Sequence, residues 1–88
     1  MKMIFTSVLV AFMTLPAFAD PKCTTEPKEK WQDEKAFEQS LKDKGYRIKK
    51  FKVTNTSCYE IYGWDKDGKK VEIYYNPVTG DTVKEIKK

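Results

Sequence analysis

Apolar and polar positions change their spacing three times along the chain. From Ile4 to Leu15 the residues are apolar except at Thr6, Ser7 and Thr14. Asp20 to Lys30 is polar, contains Pro21 and Pro27 and has no apolar period, which predicts an extended arm. Ala36, Phe37, Ser40 and Leu41 then recur at helical spacing on one face and predict a helix from about Gln32 to Lys44. Asp33 suits its N-cap, because its carboxylate can accept from first-turn amides. Glu38 and Lys42 form an i,i+4 pair in the favourable order. Gly45 suits the left-handed residue that ends a helix, with Tyr46 placed to touch Leu41 in a Schellman stop.

Beyond Tyr46 the period falls to two. Tyr46 to Thr54 reads as a strand with Phe51 and Val53 on one face and Lys50, Lys52 and Thr54 on the other. Ile48 is out of phase with Phe51, which predicts a bulge near Lys49 and Lys50. Asn55-Thr56-Ser57 is a turn, Cys58 to Trp64 a second strand and Val71 to Asn76 a third. Asp65-Lys66-Asp67-Gly68 supplies the hairpin between the last two. Asn76-Pro77-Val78-Thr79-Gly80 is a further turn, after which Thr82 to Ile86 is a candidate short edge strand. Lysines at 49, 50 and 52, and at 84, 87 and 88, guard the two outer edges. The fold class is therefore α+β: one helix on a three- to four-stranded antiparallel sheet. Phe37, Leu41, Phe51, Val53, Tyr59, Ile61, Val71, Ile73 and Tyr75 form the expected core.

The first segment stands apart from this domain. A charged start (Met1-Lys2-Met3), an apolar run, Pro16 and then Ala17-Phe18-Ala19 match a secretory signal peptide cleaved before Asp20. The run has about a dozen residues, against roughly 20 for a membrane-spanning helix. The expected organisation is a signal peptide over 1–19, the arm over 20–30 and a domain over 31–88. Localisation is then periplasmic or secreted, with no stable membrane insertion after cleavage.

Composition narrows the chemistry. The chain has no histidine, and its three methionines, Met1, Met3 and Met13, all lie in the leader. Imidazole is thus missing for general-base work and for zinc, copper or haem ligation. The 17 basic residues, one of them Lys2, are interspersed with 13 acidic ones rather than blocked. Mixed signs and export argue against nucleic acid as a partner. Cys23 and Cys58, an even pair in a small exported chain, read as a disulfide. Closing a loop of about 36 residues stabilises the fold by roughly 3–4 kcal/mol on the chain-entropy model. A single core of this size seldom supplies more than about 3–5 kcal/mol.

No catalytic, metal or cofactor site is expected. Asp65-x-Asp67-Gly68 lacks the ligand register of a calcium loop, since the first position would be Gly63 and the twelfth Tyr74. Glu60 and Glu72 sit side by side on neighbouring strands and so mimic an acid/base pair, but nearby lysines favour a solvated charge ladder. The sheet face away from the helix carries Tyr62, Trp64 and Tyr74 among Glu60, Glu72, Lys50 and Lys52. Aromatics among opposite charges are enriched at binding sites, so these seven residues are the candidate binding face. The competing reading is that the arm, tied down by the disulfide, covers some of them.

The span from Trp31 to Val83 resembles a PepSY domain in its small stand-alone exported form. The resemblance rests on Gly45-Tyr46, Cys58-Tyr59-Glu60, Asp67-Gly68-Lys69 and the stretch Val71-Glu72-Ile73-Tyr74-Tyr75-Asn76-Pro77-Val78-Thr79-Gly80. Asn76 stands where Asp is more usual. The resemblance implies a helix on an antiparallel sheet and no catalytic residues. PepSY units occur in propeptides of thermolysin-type metalloproteases and have been proposed to restrain peptidases, here in trans. The functional expectation is a non-enzymatic exported binding module whose partner is an envelope or secreted protein such as a peptidase. The alternative is an accessory or sensory module of an envelope stress or signalling system.

Overall fold

The computed structural model describes residues 20–88; the expected signal peptide and its cleavage point lie outside the described residues. A 3₁₀ turn, Lys28–Lys30, interrupts the arm and leads into helix α1, Glu34–Asp43. Strands β1 (Arg47–Val53), β2 (Tyr59–Trp64), β3 (Lys70–Tyr75) and β4 (Thr82–Lys87) follow. They form one antiparallel meander in the order β1-β2-β3-β4, with the helix packed on one face. The candidate fourth strand is therefore present, and it supplies one edge of the sheet.

Local chemistry accounts for the helix ends. Asp33 Oδ2 accepts from the Ala36 amide at 3.0 Å, which satisfies one of the orphan donors of the first turn. At the other end the Gly45 amide donates to Lys42 O at 2.9 Å and the Tyr46 amide to Leu41 O at 3.1 Å. This nested pair is the Schellman stop, and Gly45 takes the positive φ of 102° that it requires.

Strand register explains how one helix can cover three strands. Phe51 pairs with Ile61 and Ile61 with Ile73, while Val53 pairs with Tyr59 and Tyr59 with Tyr75. The register of β1 shifts between Ile48 and Lys50, so a bulge adds one residue there. Without it Ile48 would point away from the helix; with it Ile48 sits opposite Gly63 and packs on the core. Gly63 is required by this approach, because a Cβ there would lie 2.0 Å from Arg47 O.

Phe37 and Leu41 are buried over Tyr59, Ile61, Val71, Ile73 and Tyr75. The Phe37 ring lies 5.2 Å from those of both Tyr59 and Tyr75, with interplanar angles of 53° and 74°. Such tilted pairs add about 0.5–1.5 kcal/mol beyond area burial. The Tyr59 hydroxyl donates to Gln32 O, so this core ring keeps a polar partner at the helix entrance. Trp31 meets Tyr59 edge-on at 5.7 Å and closes the same end of the core.

The loop from Asn76 to Gly80 is docked rather than free. Asn76 Oδ1 accepts from the Val78 and Thr79 amides at 2.8 and 3.3 Å, which shapes the turn. The Gln32 amide donates to Pro77 O at 2.8 Å, and its side-chain amide donates to Val78 O at 3.2 Å. The most characteristic stretch of the chain thus ties the β3–β4 connection to the start of the helix. Its role here is structural.

Candidate binding face

The pattern of β2 and β3 puts Glu60, Tyr62 and Trp64 beside Tyr74, Glu72 and Lys70 respectively, on the face away from the helix. Lys50 and Lys52 join them from β1 opposite Tyr62 and Glu60. All seven candidate residues therefore share one face. They do not share one environment.

The arm covers the end nearest the disulfide. Cys23 and Cys58 are bonded with a Cα–Cα distance of 5.1 Å, and the Cys23 amide donates to Thr56 O at 3.2 Å. The chain leading into Cys23 is thereby held against the start of β2. The Tyr74 hydroxyl lies 3.1 Å from Asp20 Oδ1 and 2.9 Å from Glu72 Oε2, so two acceptors compete for its proton. Tyr74 is 6% exposed and Glu60 2%, so at this end of the candidate face the competing reading, cover rather than an open surface, describes both. The physical reason is the arm, which parity along the strands cannot register.

This covered end is an unusual polar cluster. Lys52 Nζ lies 4.0 Å from Glu60 Oε1, but Glu60 Oε2 is buried without a hydrogen-bond partner. Burial raises the Glu60 pKa above the ordinary glutamate value; the neighbouring Tyr62 hydroxyl opposes this and the Glu72 carboxyl adds to it. At Glu72 burial also pushes upward, but hydrogen bonding to Tyr74 and Glu60 and the charge of Lys88 outweigh it and leave its pKa lowered. The two carboxyl pKa values are thus shifted in opposite directions. The Tyr62 phenol is pushed up to about 12, first by the Glu60 carboxylate that attracts its proton, then by burial and the nearby negative charges. Register sets Glu60 opposite Tyr74 and Glu72 opposite Tyr62, so the two carboxyls are diagonal neighbours rather than the side-by-side pair expected from the sequence.

The other end is open. Tyr62 and Trp64 are partly exposed, and Lys50 is exposed at the edge. The Arg47 guanidinium lies over the Trp64 ring at 4.6 Å from its centroid, close enough for a cation–π contact. Lys88 Nζ reaches Glu72 Oε1 at 3.7 Å. A hollow of about 190 Å³ lies here, lined by Tyr62, Trp64, Glu72, Lys49, Lys70 and Lys88 among others. Arg47, Lys49, Lys70 and Lys88 were not among the sequence candidates. The hairpin register held a usable signal for Lys70, since closing the turn over 65–69 sets it opposite Trp64.

Asp65 resolves its own motif. Its Oδ1 accepts from the Asp67 and Lys69 amides, both at 2.9 Å, which caps the hairpin and lowers its pKa, with the Lys69 amide the largest cause. Among the described residues no three His, Cys, Asp or Glu side chains converge as a metal-ligand set. No helix among them is long and apolar enough to cross a membrane.

Comparison with known families gives a match to the sequence model described as peptidase propeptide and YPEB domain (PepSY), over residues 3–86. No curated protein and no solved structure matches the chain.

Proposed function

The chain belongs to the peptidase propeptide and YPEB domain (PepSY) family, and from that premise we propose that it is a non-catalytic exported module that binds and restrains a peptidase. The carrying observation is the open end of the sheet face. There Tyr62 and Trp64 stand partly exposed on the central strand β2, flanked by charge and left uncovered by the arm. Aromatic side chains on a rigid strand are efficient interface anchors, because they offer much contact area for little lost entropy. Surrounding lysines and Glu72 supply orientation and exclude mismatched partners. The disulfide suits an oxidising compartment, which supports export by the N-terminal leader read from the sequence. The alternative, an accessory module of an envelope signalling system, would use the same face on a partner that is not a peptidase.

The oxidised protein, purified after export from its expression host, is titrated into thermolysin-type metallopeptidases while hydrolysis of a peptide substrate is followed. Saturable inhibition that weakens in Trp64→Ala and Tyr62→Ala is the expected result. Absence of both inhibition and a complex on gel filtration would set the peptidase reading aside.

A further inference from the structure

The open end of this face has a shape and charge that specify more than a generic binding patch. Trp64 pairs with Lys70, and Tyr62 with Glu72. Between these two cross-strand rows lies the Gly63–Val71 pair, whose pleat position faces the helix. Side chains two residues apart along a strand are separated by about 7 Å. The result is a trough across β2 and β3 with backbone at its floor and the two rows as its walls. A second hollow, lined by Lys49, Lys50 and Tyr62, adjoins it and carries the depression onto β1.

The charges around the trough do not cancel. Glu72 is engaged by Lys88 at 3.7 Å and by the Tyr74 hydroxyl at 2.9 Å. Lys52 is engaged by Glu60. Arg47, Lys49, Lys50 and Lys70 are exposed, and among the described residues none of them lies within ion-pair distance of a carboxylate. A backbone-floored trough with two aromatic walls is therefore ringed by cations for which the described residues supply no counter-charge.

We propose that this trough takes an extended acidic segment of a partner polypeptide, with carboxylates set against Lys49, Lys70 and Arg47 and an apolar side chain against Tyr62 and Trp64. The inference rests on the binding-face reading above and names the chemistry of its partner. An extended chain also offers backbone N–H donors to the Glu72 carboxylate in the wall. A lipid phosphate or a phosphodiester has no such donor and would meet Glu72 as a repelling charge. The concave section of the trough further excludes a flat bilayer surface.

Nuclear magnetic resonance titration of the oxidised, isotope-labelled protein tests this with three peptides of equal length: alternating Glu-Val, Ser-Val and Lys-Val. The Glu-Val peptide should shift the amides of Lys49, Tyr62, Gly63 and Lys70 and the Trp64 indole, and bind at least about tenfold more tightly than Ser-Val. Added salt should weaken it. Lys49→Glu with Lys70→Glu should abolish this preference, while Lys35→Glu with Lys42→Glu, on the outer helix face, should leave it intact. Equal loss in the helix-face variant would reduce the effect to net charge and overturn the proposal. Equal binding of Ser-Val at the same amides would overturn the acidic partner yet keep the binding face. If no peptide perturbs the trough, the proposal falls, and peptidase inhibition by the Trp64→Ala protein then judges the binding-face reading separately. Vesicles of phosphatidylglycerol or a single-stranded oligonucleotide that perturb the trough at lower concentration than Glu-Val would also overturn it.

Discussion

The Tyr74 hydroxyl lies 3.1 Å from Asp20 Oδ1, joining the start of the arm to the third strand across 54 residues of sequence. This contact and the Cys23–Cys58 bond act together: one pins the arm to β3 and the other pins it at the start of β2. The sheet face away from the helix is consequently divided into a sealed end and an open end. The proposed recognition belongs to the second.

Reduction should therefore do more than release a tail. Opening the bond should cost roughly 3–4 kcal/mol on the chain-entropy model, most of what a domain this small has. Thermal unfolding with and without reductant is the measurement, and a large fall in melting temperature is the expected outcome. Hydrogen exchange at Glu60 and Tyr74 should accelerate in the reduced protein, because their cover leaves with the arm.

The carboxyl pair predicts a particular pH dependence. Glu60, whose folded pKa is raised above the ordinary 4.5, contributes stability that is fully present below that value. It is lost as the pH rises through the raised value. Glu72, whose folded pKa is lowered, contributes above 4.5 and loses its contribution as the pH falls through its lowered value. Stability should thus peak near the ordinary carboxylate range and decline toward neutrality. With no histidine in the chain, no unperturbed side chain obscures that decline. Denaturant unfolding between about pH 4.5 and 8 should show the upper decline in the native protein and a flattened one in Glu60→Gln. Extending the same measurement to about pH 3 should show the acid-side loss in both.

Truncation should separate core from face. Ile61 and Ile73 are 0% and 1% exposed, so replacement of either by alanine should cost about 2–5 kcal/mol. Trp64→Ala removes a partly exposed ring and its contact with Arg47, a cation–π pair of about 0.5–1 kcal/mol. Equilibrium unfolding should therefore rank Trp64→Ala well below the isoleucine changes. Tyr74→Ala belongs with the core set, because its ring is buried; Tyr74→Phe is the cleaner probe of the Asp20 contact.

Asn76 offers a test of the docked loop. Asn76→Ala removes the acceptor shared by the Val78 and Thr79 amides and should destabilise by about 1–2 kcal/mol. Asn76→Asp keeps an acceptor at the same place and should be close to neutral in the same unfolding assay. A large loss in Asn76→Asp would mean that the side-chain amide donates to a group that matters.

Local signals along the chain determined the helix with its Asp33 cap and Gly45 stop, the two-residue period of the strands, the bulge before Phe51 and the hairpin at 65–69. Each depends on residues within a few positions of one another, where backbone sterics and capping geometry act directly. The Cys23–Cys58 pairing was equally legible, because only two cysteines exist. Tertiary structure alone decided which members of the outer face meet solvent. Parity assigns Tyr62, Trp64, Tyr74 and Glu60 to one side of the sheet, but parity is a property of a strand and cover is a property of its surroundings. The cover comes from residues around Asp20, brought over Tyr74 and Glu60 by a covalent bond and a hydroxyl contact that span 35 and 54 positions. The trough likewise needs Arg47, Lys49, Lys70 and Lys88 drawn from two strands and the chain end, an arrangement set by sheet register rather than by spacing along the chain.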